Sequence, residues 1–240
     1  MVWIYTLAAT GAGLVGALVA LFWRPEKWAR SAIQHFAAGL VIAAVASEVI
    51  PEVERIGGVW QILGGFIAGG LAMIVMKSVV VPIERKQRER GGLPTGLAAA
   101  AAVDTLIDGA LSSAGFATGP QVGIVLTVAL AAELLFLTLS VGAEFRGDRA
   151  SWWLPLLVTI GITAMFPLGA LGGKLFLEGA AETTVAMVLA FGAAALIYLV
   201  AEELLVETIE AEESLTSTAT LFAGFVALFA LKLLGHGTMS

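Results

Sequence analysis

Eight long apolar runs, each bounded by charge or by glycine and proline, take up almost all of this 240-residue chain. They lie near 3–23, 31–50, 59–83, 94–118, 121–145, 152–176, 183–206 and 216–235. About 20 apolar residues cross the hydrocarbon core of a bilayer, so eight spans and their connections leave no room for a separate soluble domain. Residues 1–240 therefore read as a single polytopic membrane domain. The runs lack the dyad alternation of a barrel, and helices are the other way to satisfy every backbone group in lipid. The expected fold is an all-α integral membrane protein with eight transmembrane helices. The chain is 59% hydrophobic and 13% charged, against about half and a quarter in soluble domains.

Composition also removes whole classes of function. With no cysteine, disulfide frameworks, thiolate metal sites and cysteine nucleophiles are excluded. A net charge of −6 argues against a nucleic-acid partner, since such surfaces are basic. The opening Met1-Val2-Trp3-Ile4-Tyr5 has no basic segment, so the first run reads as a retained span and not as a cleaved signal peptide.

Basic residues resist translocation and so report orientation. Ten of the thirteen fall on one side of an eight-span chain: Arg24, Lys27, Arg30, Lys77, Arg85, Lys86, Arg88, Arg90, Arg146 and Arg149. Arg55, Lys174 and Lys232 fall on the other. This predicts cytoplasmic loops after spans one, three, five and seven, with both termini outside. The stretch Lys86-Gln87-Arg88-Glu89-Arg90-Gly91-Gly92 reads as a short cytoplasmic linker. The absence of targeting features fits a prokaryotic plasma membrane, whose lipid is the expected surrounding partner.

One internal match stands out. Phe36-Ala37-Ala38-Gly39 in span two is followed by Glu48 and Glu52, and Phe191-Gly192-Ala193-Ala194 in span seven by Glu203 and Glu207 at the same offsets. The two segments run in opposite directions through the membrane. That pattern is the mark of an inverted-topology repeat in secondary transporters.

The chemistry concentrates in spans four and five. Asp104, Asp108 and Glu133 all fall near mid-depth. A central acid costs roughly 2.5–3.5 kcal/mol on insertion scales, so three facing lipid would cost on the order of 7–10 kcal/mol. They must face the bundle interior. Asp104 and Asp108, at i and i+4, share one helix face, and the short Gly119-Pro120 turn brings span five back antiparallel, so that Glu133 converges on them. Such acids are protonated, share water, or bind a cation; hard oxygen donors suit Mn²⁺, Mg²⁺ or Fe²⁺, and Zn²⁺ also accepts carboxylate. Protonated acids would bond neighbouring hydroxyls, with Ser112, Ser113 and Thr138 in reach of such a role.

Other polar groups sit nearer the helix ends. His35 opens span two and reads as an interfacial side chain, with no second histidine at ligand spacing. Glu52, Glu202 and Glu207 read as helix-end charges, and Glu48 and Glu203, a turn deeper, as candidates for a cation's entry and exit. Pro155 and Pro167 are expected to interrupt span six and free carbonyls near the acids.

At these residues the chain resembles the ZIP (Zrt/Irt-like) family of divalent-metal transporters over nearly its whole length. His35-Phe36-Ala37-Ala38-Gly39 leading to Glu48-Val49-Ile50-Pro51-Glu52 is similar to the family's second helix, and Ala201-Glu202-Glu203-Leu204-Leu205 to its Glu-Glu-Leu-Leu motif. Asp104-Thr105-Leu106-Ile107-Asp108-Gly109 resembles the span-four His-Asn-x-x-Asp/Glu-Gly signature, with Asp in the His place and Thr in the Asn place. Glu133 takes the first ligand position of the span-five His-x-x-x-Glu motif and Leu137 the second, while Phe166 takes the Glu of span six's Glu-Pro-Leu-Gly-Ala. The family's His-rich cytoplasmic loop has no counterpart.

The resemblance implies a 3+2+3 arrangement, with spans 1–3 and 6–8 as inverted repeats around spans 4 and 5, and a metal site on those two central spans. The departures favour one site made by Asp104, Asp108 and Glu133 for Zn, Mn or Fe, with harder cations gaining where imidazole is lost. The expected function is transport of a divalent metal towards the cytoplasm. A sensor or scaffold that binds metal without transporting it, and a proton-coupled carrier of another solute, stay open, as does a homodimer. An enzyme is not expected: Glu202-Glu203 would need His or Arg partners inside the bilayer.

Overall fold

The structure is a computed structural model that describes residues 2–23, 25–89, 93–145, 153–210 and 215–237, without the side chains of 27, 88, 89, 203–210, 215 and 235–237. The helices are α1 (Val2–Phe22), α2 (Lys27–Ala44), α3 (Ile50–Ile56), α4 (Val59–Glu89), α5 (Thr95–Thr118), α6 (Pro120–Phe145), α7 (Trp153–Leu177), α8 (Glu182–Glu210) and α9 (Leu215–Gly237). A π turn over Val45–Val49 joins α2 to α3 without a break, so these two helices make one span. No strand occurs among the described residues. Eight spans in all are long and apolar enough to cross a membrane, and the chain is an integral membrane protein.

Three boundaries differ from the sequence expectation. Span two runs on to Ile56 instead of ending near 50, because the π turn takes up the strain ahead of Pro51, where an uninterrupted α-helix would clash. Helix α4 continues to Glu89, so much of the expected 86–92 linker is helical. Pro155 is the third residue of α7, where no intrahelical bond is lost; of the two prolines expected to interrupt that span, only Pro167 lies inside it. Pro120 opens α6 directly after Gly119, a first-turn position that suits its fixed φ.

Glycine sets the four closest helix pairings, α5 on α7, α1 on α6, α2 on α9 and α4 on α8. A Cβ on Gly109 of α5 would stand 2.0 Å from the Phe166 carbonyl oxygen of α7, and one on Gly169 1.9 Å from that of Leu106. Gly16 meets the Leu135 carbonyl of α6 in the same way, Gly39 and Gly224 meet the carbonyls of Leu221 and Phe36 across α2 and α9, and Gly69 of α4 meets that of Phe191 on α8. Between membrane helices there is no hydrophobic drive to associate, so small residues that admit close backbone contact supply the attraction.

Burial grades outwards from the centre. About half of α5, α6 and α8 is buried, against 11% of α4 and of α9. Trp60, Ile67 and Val75 on α4 and Phe222, Val226 and Leu234 on α9 are all exposed. Apolar surface of this extent marks contact with acyl chains or with another protein. The ends of the bundle are polar and distinct: Arg30 meets Glu144, Lys77 meets Glu202 and Ser31 meets Ser217 at one, while Lys174 lies over Trp3 and Lys232 meets Glu48 at the other.

Candidate functional site

Each acid-bearing helix is anchored by the face that carries no acid. On α5, Gly109 lies against the Phe166 carbonyl, and the Ser113 hydroxyl donates to the carbonyl of Ala170, 2.6 Å away. On α6, the Thr138 hydroxyl donates to the Gly13 carbonyl of α1 at 2.9 Å, beside the Gly16–Leu135 contact. Helices α5 and α6 then join through Ser112 and Thr127, whose hydroxyls are 2.6 Å apart, and through the close approach of Gly115 to Gly123.

That framework brings Asp104, Asp108 and Glu133 together. One carboxylate oxygen from each lies within 4.8 Å of the others. Asp104 is 8% and Asp108 2% exposed, and Glu133 is half-buried. Two oxygens bound to one cation at 2.0–2.6 Å stand at most about 5 Å apart, so the trio is near the dimensions of a coordination shell and small side-chain rotations would close it. Without an ion or protons, each pair of charges at this spacing would repel by about 3 kcal/mol even at an effective dielectric of 20. Among the described residues, no other group of three or more histidine or acidic side chains is close enough to share an ion.

The three hydroxyls expected to support protonated acids have other partners. Ser113 and Thr138 donate to helix carbonyls, Thr138 also to that of Leu134 at 2.9 Å, and Ser112 pairs with Thr127. A membrane helix offers carbonyls at van der Waals range wherever glycine lets backbones meet, and these capture the hydroxyls first. Thr105 behaves differently. It is fully buried, and its hydroxyl has no hydrogen-bond partner, although buried Thr6, Thr159 and Thr163 all bond the carbonyl four residues back.

The remaining sequence candidates whose side chains are described do not join the trio. His35 Nδ1 is 2.9 Å from the Ser31 carbonyl, one turn back on α2. Glu52 takes both arms of Arg55, at 2.7 and 2.9 Å. Glu202 binds Lys77 at 2.8 Å. Glu48 is buried and faces Lys232 of α9 at 3.1 Å. The side chains of Glu203 and Glu207 lie outside the described residues. Phe166 is wholly buried, putting an apolar ring where the resembling motif has a carboxylate. The sequence reading missed the Glu48–Lys232 pair and the nearby Gln121. A signal for it existed, since Lys232 is the one basic residue in the 216–235 run.

Neither a protein-family model nor a curated protein matches the chain.

Proposed function

We propose that the chain transports a divalent metal cation towards the cytoplasm, as a divergent member of the ZIP family, through a single site made by Asp104, Asp108 and Glu133. The observation that carries this reading is the convergence of three carboxylates from two helices in the interior of a membrane bundle. Intramembrane acids are costly and as a rule mark ion or proton pathways. Oxygen-only ligands favour Mn²⁺ or Fe²⁺ over Zn²⁺.

Packing supports the 3+2+3 inverted repeat that such a transporter uses. Exchanging spans one to three with six to eight, and four with five, turns the α5–α7 pairing into α6–α1 and the α2–α9 pairing into α8–α4, the four closest in the bundle. Burial follows the same exchange: 33% and 39% for spans one and six, 61% and 50% for two and seven, and 11% for both three and eight. The internal sequence match agrees as well. The Phe36 carbonyl receives Gly224 of α9, and the Phe191 carbonyl receives Gly69 of α4. Gly169 on Leu106 and Gly16 on Leu135 form a second such pair. Two residues before each leucine stand Asp104 and Glu133, so the repeat makes these two acids counterparts and assigns Leu137 to the place of Asp108. One acidic ligand fewer on α6 than on α5 is the reason to propose a mononuclear site.

Membrane sidedness follows the basic residues, with both termini outside in a prokaryotic plasma membrane. Uptake of Mn²⁺, Fe²⁺ and Zn²⁺ into liposomes holding the purified protein tests the function. The combined Asp104→Asn and Glu133→Gln variant should lose at least about tenfold in uptake, equivalent to ~1.4 kcal/mol. Uptake unchanged in that variant sinks the assigned site.

A further inference from the structure

A second set of oxygens gathers at the end of the bundle where the π turn leads into α3, α6 begins and α9 finishes. The Glu48 carboxylate is 6% exposed; its Oε1 lies 3.1 Å from Lys232 Nζ and 3.4 Å from Gln121 Nε2. The same ammonium donates to the Ser47 carbonyl. Pro51 explains why that carbonyl is available: it stands four residues on and has no N–H to return. The π turn widens the helix here, with the Ile50 N–H reaching back to the Val45 carbonyl, and such turns recur at functional sites. On the same turn the Ser47 hydroxyl is buried without a hydrogen-bond partner.

Carboxylate, freed carbonyl and side-chain amide make a hard-oxygen cradle of the kind that binds cations, once the amide turns its oxygen inward. The group now in it is a cation already, carried on a flexible four-carbon stem. A lysine whose only task was to cover apolar surface would extend its head to water. Lys232 keeps its head on Glu48 and Ser47 instead, with its side chain 18% exposed.

We propose that Glu48, the Ser47 carbonyl and Gln121 form a cation subsite that Lys232 occupies as a tethered competitor, and that a divalent ion of the Mn²⁺ class takes the place of its ammonium. A tethered competitor acts at high effective concentration, so it keeps the subsite closed at low metal and yields to a doubly charged ion at high metal. The role of the subsite as a metal-dependent gate on the outer route rests on the transport reading. Its capacity to bind does not.

The test uses full-length protein in detergent with Asp104→Asn, Asp108→Asn and Glu133→Gln throughout, so that the midplane acids do not contribute, and counts bound Mn²⁺ by loss of the aqueous ion's electron paramagnetic resonance signal. Adding Lys232→Met should produce one Mn²⁺ site per chain, at least about tenfold tighter than with lysine present, and adding Glu48→Gln to that variant should abolish it. Equal binding with and without Lys232, or a site that survives Glu48→Gln, overturns the proposal. A second measurement needs no change at Lys232: acetylation by an amine reagent, read by mass spectrometry against Lys174 at the same end of the bundle. Saturating Mn²⁺ should raise Lys232 modification several-fold relative to Lys174, and an unchanged ratio overturns the proposal even if Lys232→Met fails to fold. Liposome uptake by the unsubstituted chain reports on transport separately.

Discussion

At the scale of single residues, the bundle treats its polar groups in two ways. Most buried hydroxyls are committed to carbonyls, as with Thr138 on Gly13 and Leu134, whereas the Thr105 hydroxyl is buried and unused. A buried hydroxyl without a partner costs about 1–3 kcal/mol. Thr105→Val should therefore leave thermal stability in detergent unchanged or raise it, while Thr138→Val, of the same shape change, should lower it by about 1 kcal/mol or more. Melting curves of the two variants decide this: a larger loss from Thr105→Val would mean that its hydroxyl has a partner. The three central acids obey a different constraint, since a carboxylate in the interior is tolerable only with a proton, water or a cation beside it. Saturating Mn²⁺ should accordingly raise the melting temperature of the unsubstituted protein, because a ligand bound to the folded state alone adds RT ln(1 + [L]/Kd), about 2.7 kcal/mol at a hundredfold excess over Kd. In the Asp104→Asn and Glu133→Gln variant the rise should shrink markedly.

At the scale of elements, position is set by where backbones can touch. Gly109 follows Asp108 directly and rests on the Phe166 carbonyl, so the register of α5 on α7 also fixes the depth and rotation of the acids. A methyl group there would stand 2.0 Å from backbone oxygen, which cannot move aside as a flexible side chain could. Gly109→Ala should destabilise by about 1–3 kcal/mol through overpacking and should reduce metal uptake along with stability. Gly172→Ala on α7, where a Cβ meets nothing within 4 Å, is the control and should be silent in both assays. The π turn is the corresponding device in span two: one widened turn carries the helix through Pro51 and directs Glu48 towards α9 instead of lipid.

For the molecule as a whole, the apolar surface and the two polar ends fit it to a bilayer, and the proposed sidedness rests on the distribution of basic residues. The chain has no cysteine, so single introduced thiols report sidedness directly. Gly119→Cys, between α5 and α6, should react with an impermeant maleimide added outside intact cells. Leu93→Cys, between α4 and α5, should react only after the membrane is opened. The reverse pattern would invert the orientation and, with it, the proposed direction of transport.

The number of spans, their approximate limits and the inward convergence of Asp104, Asp108 and Glu133 were legible in the sequence because each depends on a local quantity: run length, rise per residue and the cost of charge in hydrocarbon. The i, i+4 stacking of the two aspartates and the return of α6 across Gly119-Pro120 were legible for the same reason. Only the tertiary structure decided which hydroxyls the acids would not have as partners, that span two passes through Pro51 on a π turn, and that Lys232 closes on Glu48 from 184 residues away in sequence. Those outcomes depend on which glycines let which helices meet, and most of the apolar helices in this chain offer more than one. The choice among them is a competition between whole packings, which no single segment encodes.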